Sequence, residues 1–320
     1  MIILKIGIPN GLFTDTSNLM YKTFFESLGI NVVFSGNTTN EIKEEGIRLT
    51  VDEGCLASKI YIGHVASLVQ RSKDEKIDYI FIPRLCTYKK NETECVRFYA
   101  MYDICKNMFD ANFISLNLDY KKGISEVKSY IDLAKRININ PVKAYLAYMK
   151  AVKVCRNEEY YRYRLLKSRL NKDESKILIV SHAYVFDDAV IGKPICNWLK
   201  KQDVELIYAS KERMRENDIS YKKISSSLYW KQSKVLMSGL INNMDNIDGI
   251  IYLSVFPCGT DSLTNELMQR KIKDVPSINL IVDEHSGFEG YITRLESFLD
   301  IVESNKLKSK RGEKYEKIYC

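Results

Sequence analysis

The sequence predicts an α/β protein with two parallel-sheet domains. Apolar runs typical of buried strands alternate with amphipathic runs typical of helices. The same order of elements occurs twice, and 320 residues exceed the usual size of one domain. We therefore expect two flavodoxin-like (Rossmann-like) domains that arose by internal duplication, are joined by a helical connector and have a cleft between them.

The first half of the chain has the pattern of a β–α–β unit with short connections. Its strands are apolar and flanked by turn residues, and its helices have apolar positions at helical spacing. The predicted strands are 3–9, 30–35 and 78–86, and the predicted helices are 17–28, 40–49 and 56–71.

The second half repeats this order. The predicted strands are 175–182, 204–210, 248–258 and 277–285, and the predicted helices are 191–200, 227–244, one from Thr264, and 291–304. The third strand of each half is predicted to end in a cysteine, Cys86 and Cys258, at a similar distance from Lys5 and Lys176. This agreement in spacing is the basis for the predicted duplication.

A long helical segment separates the two halves. Residues 141–170 follow Asn140-Pro141, which is a common way to start a helix, and they carry apolar positions such as Leu146 and Met149. The predicted domains are therefore 1–140 (flavodoxin-like), 141–174 (helical connector), 175–305 (flavodoxin-like) and 306–320 (a basic, mobile tail).

Composition excludes several classes of protein. The N-terminal apolar run is too short for a signal peptide, and no run approaches the length of a membrane span, so we expect a cytoplasmic protein without a membrane partner. The net charge of +7 is concentrated in 143–172 and 306–317. A solvated helix face and a frayed tail explain it better than a nucleic-acid-binding surface, which remains an alternative.

Eight cysteines without a CxxC pair indicate buried thiols and a metal site rather than a disulfide framework. The stretch VFPCGTDS (255–262) presents Cys258 after a strand, with Asp261 and Ser262 as the expected helix cap. Superposing the two halves places Cys55, Cys86 and Cys258 around the predicted cleft. Three thiolates suit an iron–sulfur cluster, and Cys95 is the nearest candidate for a fourth ligand.

Alternatives to these cysteine assignments remain open. All of the candidate ligands could instead be small buried hydrophobic residues. Cys105, Cys155 and Cys196 fall within helical patterns and are predicted to be core thiols, and Cys320 is assigned no role.

Other side chains could take part in chemistry. His182 follows a strand and could face a substrate, and Glu284 with His285 could move a proton, although a solvated loop explains that pair equally well. His64 is interpreted as a packing residue. Lys59 and Arg84 could offset cluster charge, but solvated side chains are the simpler interpretation.

The chain resembles the acyl-CoA dehydratase activase-related family, relatives of the 2-hydroxyacyl-CoA (2-hydroxyglutaryl-CoA) dehydratase subunits. The segments that carry the resemblance are KIGIPNGLF (5–13), FFESLGINVVFSGNTT (24–39), DEGCLASKIYIGHVASL (52–68), DYIFIPRL (78–85), VFPCGTDSLTNE (255–266) and VDEHSGFEGYITRLESFLD (282–300). It implies two flavodoxin-like domains around a 4Fe–4S cluster, with Cys55, Cys86 and Cys258 at cluster-type positions. The chain departs from the family at Ala57, Val96 and Thr260, where proline is usual.

The resemblance also implies a function. The protein would be an oxygen-sensitive iron–sulfur protein that receives low-potential electrons from a separate ATP-dependent activator and uses them for reductive elimination or reduction, with an acyl-CoA as candidate substrate. The chain itself contains neither GxGxxG nor GxxxxGK[ST]. The alternative is a non-catalytic subunit that carries a cluster for electron transfer or acts as a scaffold. Whether the protein is a dimer is left open.

Overall fold

The computed structural model describes residues 4–13, 15–170, 174–211, 219–285 and 287–310. The chain divides into two compact units. The first consists of Met1–Tyr160 with Tyr229–Lys231, and the second of Tyr161–Leu228 with Gln232–Cys320. None of the described helices combines the length and the apolar character that a membrane-spanning segment needs.

The first unit contains a parallel sheet and a smaller mixed sheet. Its strands are β1 (Lys5–Ile8), β2 (Asn31–Phe34), β3 (Tyr79–Phe81), β4 (Arg84–Lys89), β5 (Glu92–Thr93), β6 (Phe113–Ile114) and β7 (Asn117–Asp119). Its helices are α1 (Asp15–Ser27), α2 (Asn40–Arg48), α3 (Leu56–Arg71), α4 (Val96–Met108), α5 (Glu126–Arg136) and most of α6 (Pro141–Leu170). The parallel sheet has the strand order β2-β1-β3-β6, and the smaller sheet has the order β5-β4-β7.

The second unit contains one parallel sheet. Its strands are β8 (Ser175–Val180), β9 (Val204–Tyr208), β10 (Gly249–Val255) and β11 (Ser277–Val282), in the order β9-β8-β10-β11. Its helices are α7 (Ala183–Phe186), α8 (Lys193–Leu199), α9 (Lys231–Asn243, whose first residue belongs to the first unit), α10 (Gly259–Lys271) and α11 (Phe288–Lys310). Strand β10 is buried at every position, as expected for a central parallel strand covered on both faces.

The same two hydrogen bonds, both made by an aspartate, join the first and third strands in both parallel sheets. We call this pair of bonds the clamp. In the first unit, the Lys5 N–H donates to Asp78 Oδ2 at 2.7 Å, and the Asp78 N–H donates to the Lys5 carbonyl at 2.9 Å. In the second unit, Lys176 and Asp248 make the same two bonds, each at 2.8 Å. The α/β class with parallel sheets is confirmed. The shared strand order and clamp are what a duplication would leave, and the duplication itself stays a prediction, as does the cleft.

The structure corrects the predicted strand 78–86. Pairing with β1 ends at Ile80, and the chain continues beyond Pro83 as β4, which pairs with β5 and β7 instead. Pro83, which has no N–H to donate, lies at the break between β3 and β4. Pairing on the other side of the strand carries on across it, since the Ile82 N–H donates to the Ile114 carbonyl at 3.0 Å and the Arg84 N–H donates to the Leu116 carbonyl at 2.7 Å. Cys86 therefore lies inside β4 of the smaller sheet, whereas Cys258 lies outside any strand, so the predicted equivalence of the two positions is wrong in detail.

Two helix ends also differ from the prediction. Helix α10 begins at Gly259 with Cys258 as its N-cap, so Asp261 lies in the first turn instead of capping it. Helix α11 continues to Lys310, into the segment predicted to be a mobile tail. Residues 311–320 of that tail, including Cys320, lie outside the described residues.

Helices α2 and α3 pack at backbone contact through two glycines. A Cβ on Gly46 would overlap the carbonyl of Lys59, and a Cβ on Gly63 would overlap the carbonyl of Ile42. Since both obstacles are main-chain atoms, no side-chain movement could relieve the overlap. Helix α2 itself is capped by Thr39, whose hydroxyl accepts the Ile42 N–H at 3.3 Å.

A buried histidine connects α3 to the loop after β2. His64 is fully buried, its Nδ1 lies 2.9 Å from Ser35 Oγ, and its Nε2 lies 2.9 Å from Thr38 Oγ1. Burial lowers the pKa of His64 to about 4, so the ring is neutral at physiological pH. The interpretation of His64 as a packing residue is confirmed.

We expect Gly46→Ala and Gly63→Ala each to lower the free energy of unfolding by about 1–3 kcal/mol, because the added methyl group separates α2 from α3. Gly290→Ala is the matched control. Gly290 also lies in a helix but has no atom near its Cβ position, so alanine should be neutral or stabilise by up to about 1 kcal/mol. Denaturant unfolding measures all three, and equal stability of all three variants would contradict the close packing.

His64 should make the protein acid-sensitive. Its pKa of about 4 in the folded state lies below the ordinary 6.5, so the unfolded chain binds a proton more readily between these values. The free energy of unfolding should therefore fall as the pH drops through this window, by about 3 kcal/mol from this group.

The comparison that isolates this contribution uses two variants. His64→Gln should weaken the pH dependence of unfolding, and His285→Gln is the control, since it removes a histidine whose side chain is 89% exposed. Parallel pH profiles for wild type and His64→Gln would refute the assignment.

Candidate cysteine site

Burial divides the cysteines of the described residues into two groups. Three are buried, namely Cys105, Cys155 and Cys196, and four are half-exposed, namely Cys55, Cys86, Cys95 and Cys258. Burial raises the pKa of Cys105 to about 12 and that of Cys155 to about 11, the latter with a contribution from nearby carboxylates. The predicted core thiols are confirmed as buried, and the half-exposed group coincides with the predicted ligands.

Three of the half-exposed cysteines are helix N-caps. Cys55 precedes α3, Cys95 precedes α4 and Cys258 precedes α10. None of them makes the side-chain bond to backbone N–H that Thr39 makes for α2. Cysteine is not among the residues preferred at this position. The positive end of a helix dipole does, however, suit a negatively charged ligand, such as a metal-bound thiolate.

The fourth half-exposed cysteine has a carboxylate beside it. Burial raises the pKa of Cys86, and the negative charge of Asp119 raises it further. Asp119 is itself held by Thr87, whose Oγ1 donates to Asp119 Oδ1 at 2.6 Å, and by Lys122 at 3.7 Å. Cys86 is therefore a thiol at neutral pH, and binding a metal there would release its proton.

Two hydrogen bonds bring together the segments that carry Cys55, Cys86 and Cys95 in the first unit. The Glu94 N–H donates to the Cys86 carbonyl at 3.0 Å. Arg97, at the start of α4, donates from Nη2 to the Glu53 carbonyl at 3.4 Å, just before Cys55. The Cys95 loop therefore lies between the segments of the other two cysteines.

These contacts join backbone segments and do not amount to a formed metal site. Within the described residues, no group of three or more His, Cys, Asp or Glu side chains is arranged to hold a metal ion. The donor types nevertheless fit an iron–sulfur cluster, since cysteine thiolates are its usual ligands.

In the second unit, Cys258 lies beside a buried His–Asp pair. His182 Nε2 lies 2.8 Å from Asp261 Oδ1, and the two residues are 4% and 3% exposed. Burial would raise the pKa of Asp261, but the charge and hydrogen bond of His182 and a hydrogen bond from the Cys258 thiol outweigh it, and the pKa is lowered. The Cys258 Sγ also lies 3.3 Å from Thr260 Oγ1.

His182 is buried in this arrangement, and its predicted role in facing a substrate stays a prediction. It caps α7, its ring stacks on Tyr184 with centroids 4.9 Å apart, and its imidazole holds the first turn of α10 through Asp261. The geometry suits a positioning role for His182 with respect to Cys258. Asp261 and Asp119 were not predicted as partners of these side chains. The only signal for Asp261 was its position one turn after Cys258.

The remaining candidates lie at the surface or are already engaged. His285 Nε2 lies 3.5 Å from Glu284 Oε1, with the histidine side chain 89% exposed. Arg84 donates to Asp103 at 2.6 Å and lies over the Tyr99 ring at 4.7 Å. Lys59 is only 2% exposed, one turn after Cys55, so its interpretation as a solvated lysine is wrong.

Alkylation of the native protein should separate the two groups of cysteines. We expect iodoacetamide to modify Cys55, Cys95 and Cys258 under native conditions, and Cys105 only after unfolding, because a buried thiol is neither accessible nor ionised. Peptide mass spectrometry measures each site. Native labelling of Cys105 as fast as that of Cys55 would contradict the assignment.

Cys86 allows a sharper measurement in the same experiment. Asp119→Asn removes the negative charge beside the thiol and should increase the labelling rate of Cys86 several-fold at neutral pH, since the rate follows the thiolate fraction. Labelling of Cys258 in the other unit is the internal control and should not change.

Comparison with known proteins identifies the family. The model described as "CoA enzyme activase uncharacterised domain (DUF2229)" matches residues 5–211. No curated protein matches the chain. Solved structures that match include the SBP FpvC from Pseudomonas aeruginosa in complex with Mn²⁺ and a FpvC mutant from the same organism. Each is 12% identical with a TM-score of 0.27, over 87% of this chain and 88% and 89% of those chains.

Those two structural likenesses carry no argument about this protein, because their TM-scores are low. The family match does, since it spans well over half of the 320 residues. It agrees with the resemblance drawn from the sequence segments. The chain belongs to the family described as the CoA enzyme activase uncharacterised domain.

Proposed function

We propose that this protein is an iron–sulfur protein of a CoA-enzyme system related to the acyl-CoA dehydratases. In this proposal it receives low-potential electrons from a separate ATP-dependent activator and delivers them to a small substrate, with an acyl-CoA as the candidate. Membership of the CoA enzyme activase family supports the relationship. The absence of a phosphate-binding motif from the sequence supports assigning ATP hydrolysis to a partner.

The observation that carries the proposal is the separation of the cysteines by exposure and position. The cysteines that the sequence marks as ligands are half-exposed, and three of the four half-exposed cysteines stand at the positive ends of helices. A cluster bound by them would supply one-electron redox chemistry. The chain would supply the thiolates, through Cys55, Cys86 and Cys258.

Neighbouring residues have defined tasks in this proposal. Asp119 would take the hydrogen bond of the Cys86 thiol until the proton leaves. His182 and Asp261 would keep the first turn of α10, and with it Cys258, in place. The buried Lys59, one turn after Cys55, would offset negative charge.

A second candidate function is a non-catalytic carrier of electrons. It is favoured by Cys95, which is half-exposed, caps α4 and lies in a loop bonded to the Cys86 segment. A fourth cysteine ligand would leave no iron open to a substrate, which suits electron transfer rather than catalysis.

Metal analysis after anaerobic reconstitution tests the proposal. We expect iron and acid-labile sulfide in the wild type and a loss of most of both in Cys55→Ala, Cys86→Ala and Cys258→Ala. Cys105→Ala is the matched control, because it also removes a thiol but a buried one, and it should retain the cluster. A wild type without iron and sulfide, or the same loss in all four variants, would refute the proposal.

Cys95→Ala separates the two functions. Retention of the cluster, together with a change in its spectrum when an acyl-CoA is added, would favour the enzyme, because an open iron is then accessible. Loss of the cluster and indifference of the wild type to acyl-CoA would favour the carrier.

A further inference from the structure

The first unit contains a cavity that none of the candidate cysteine ligands lines. It has a volume of about 350 Å³, within the range of roughly 300–1,000 Å³ typical of small-molecule sites. Four tyrosines form much of its wall, namely Tyr21, Tyr88, Tyr130 and Tyr148. None of the half-exposed cysteines lines it; the one cysteine in its wall is the buried Cys155.

The tyrosine walls are rigid and uncharged. Tyr130 and Tyr148 are in contact, with ring centroids 5.1 Å apart, and Tyr21 packs against Phe81 at 4.9 Å. Burial raises the pKa of Tyr148 to about 12 and also raises those of Tyr21 and Tyr130. Such walls suit the apolar or aromatic body of a ligand.

A lysine at the start of α9 presents its ammonium group to this cavity. Lys231 Nζ lies 3.4 Å from the centroid of the Tyr88 ring. Within the described part of the chain, this cation–π contact is the one contact that the ammonium group makes, and it forms no hydrogen bond or ion pair. Lys231 is half-buried, and burial lowers its pKa, so an acceptor in a ligand would stabilise its ammonium form.

A carboxylate faces the same cavity without reaching the lysine. Glu126 is the first residue of α5, is exposed and lines the cavity. Its charge acts on Lys231, after the larger effect of Glu94, which does not line the cavity, and on the surrounding tyrosines. No ion pair within 4.0 Å joins it to Lys231 or to any other described residue. Arg156 and Glu159 also line the cavity, each with partners of its own, and add one charge of each sign.

We infer that this cavity binds a small zwitterion with an apolar or aromatic body, of the amino-acid type, whose carboxylate pairs with Lys231 and whose ammonium pairs with Glu126. Two positive and two negative side chains make the wall neutral overall, which favours a ligand that is neutral overall but has separated charges. A dianion such as a phosphate monoester would meet repulsion from the two glutamates, and a simple cation would meet it from Lys231.

Isothermal titration calorimetry on the full chain tests the inference with three related probes. L-Phenylalanine has both charges, hydrocinnamate lacks the ammonium and phenethylamine lacks the carboxylate. We expect L-phenylalanine to bind at least about tenfold more tightly than either analogue, because each analogue leaves one charged group of the cavity unpaired. Equal affinity for all three, or no binding of L-phenylalanine at millimolar concentration, would overturn it.

Two variants assign the charges. Lys231→Met should abolish the preference for L-phenylalanine over phenethylamine and keep the preference over hydrocinnamate, and Glu126→Gln should do the reverse. The matched controls are Lys128→Met and Glu44→Gln, which remove exposed charges outside the cavity. Thermal unfolding checks that each variant is folded. Folded variants with unchanged preferences would contradict the assignment, independently of whether the protein binds iron.

Discussion

In each parallel sheet, one aspartate joins the first strand to the third through two hydrogen bonds, and the alignment of the sheet depends on it. Asp78 and Asp248 each precede a third strand, and each exchanges two hydrogen bonds with the first residues of the sheet's opening strand. A parallel sheet has no tight hairpin to fix its register, so such a clamp sets how the strands align. Of the candidate residues, His182 and Cys258 follow strands held in this way, β8 and β10.

Desolvation then determines which of these side chains can ionise and react. The same cysteine side chain is an inert core group at position 105 and a half-exposed helix cap at position 55. The same imidazole is a neutral packing group at position 64 and the partner of a buried carboxylate at position 182. Residue type alone therefore nominates candidates, and the surroundings separate those that can ionise from those that cannot.

The sequence was sufficient for the α/β class and for most elements, because parallel strands and crossover helices leave strong periodic signals. It was insufficient where a contact with a distant residue decides the outcome. The strand expected to end in Cys86 loses its pairing with β1 after Ile80 and continues beyond Pro83 as β4 of a second sheet, where it pairs with β5, nearby in sequence, and with β7, which lies much further along the chain. In α6, the apolar positions Leu146 and Met149 are 62% and 46% exposed, and small residues such as Ala147 are buried.

The candidate site shows the same division. Cys55 and Cys258 could be nominated from their positions before predicted helices, which is local information, whereas Cys95 was nominated only as the nearest candidate for a fourth ligand. Asp119 and the pairing of His182 with Asp261 could not, because each arises from residues brought together by the fold. Likewise, Lys231 carries no motif, and only the packing of its neighbours identifies it as a desolvated cation in a tyrosine-lined cavity.

The glycine contact between α2 and α3 has a mechanical consequence for Cys55. Because each helix seats a glycine against a carbonyl of the other, neither can slide or roll without driving main-chain atoms into one another. The two helices therefore share a single register and behave as one stiff body. The Cys55 sulfur, at the N-terminus of α3, can therefore move only if both helices move with it or if the first turn of α3 unfolds.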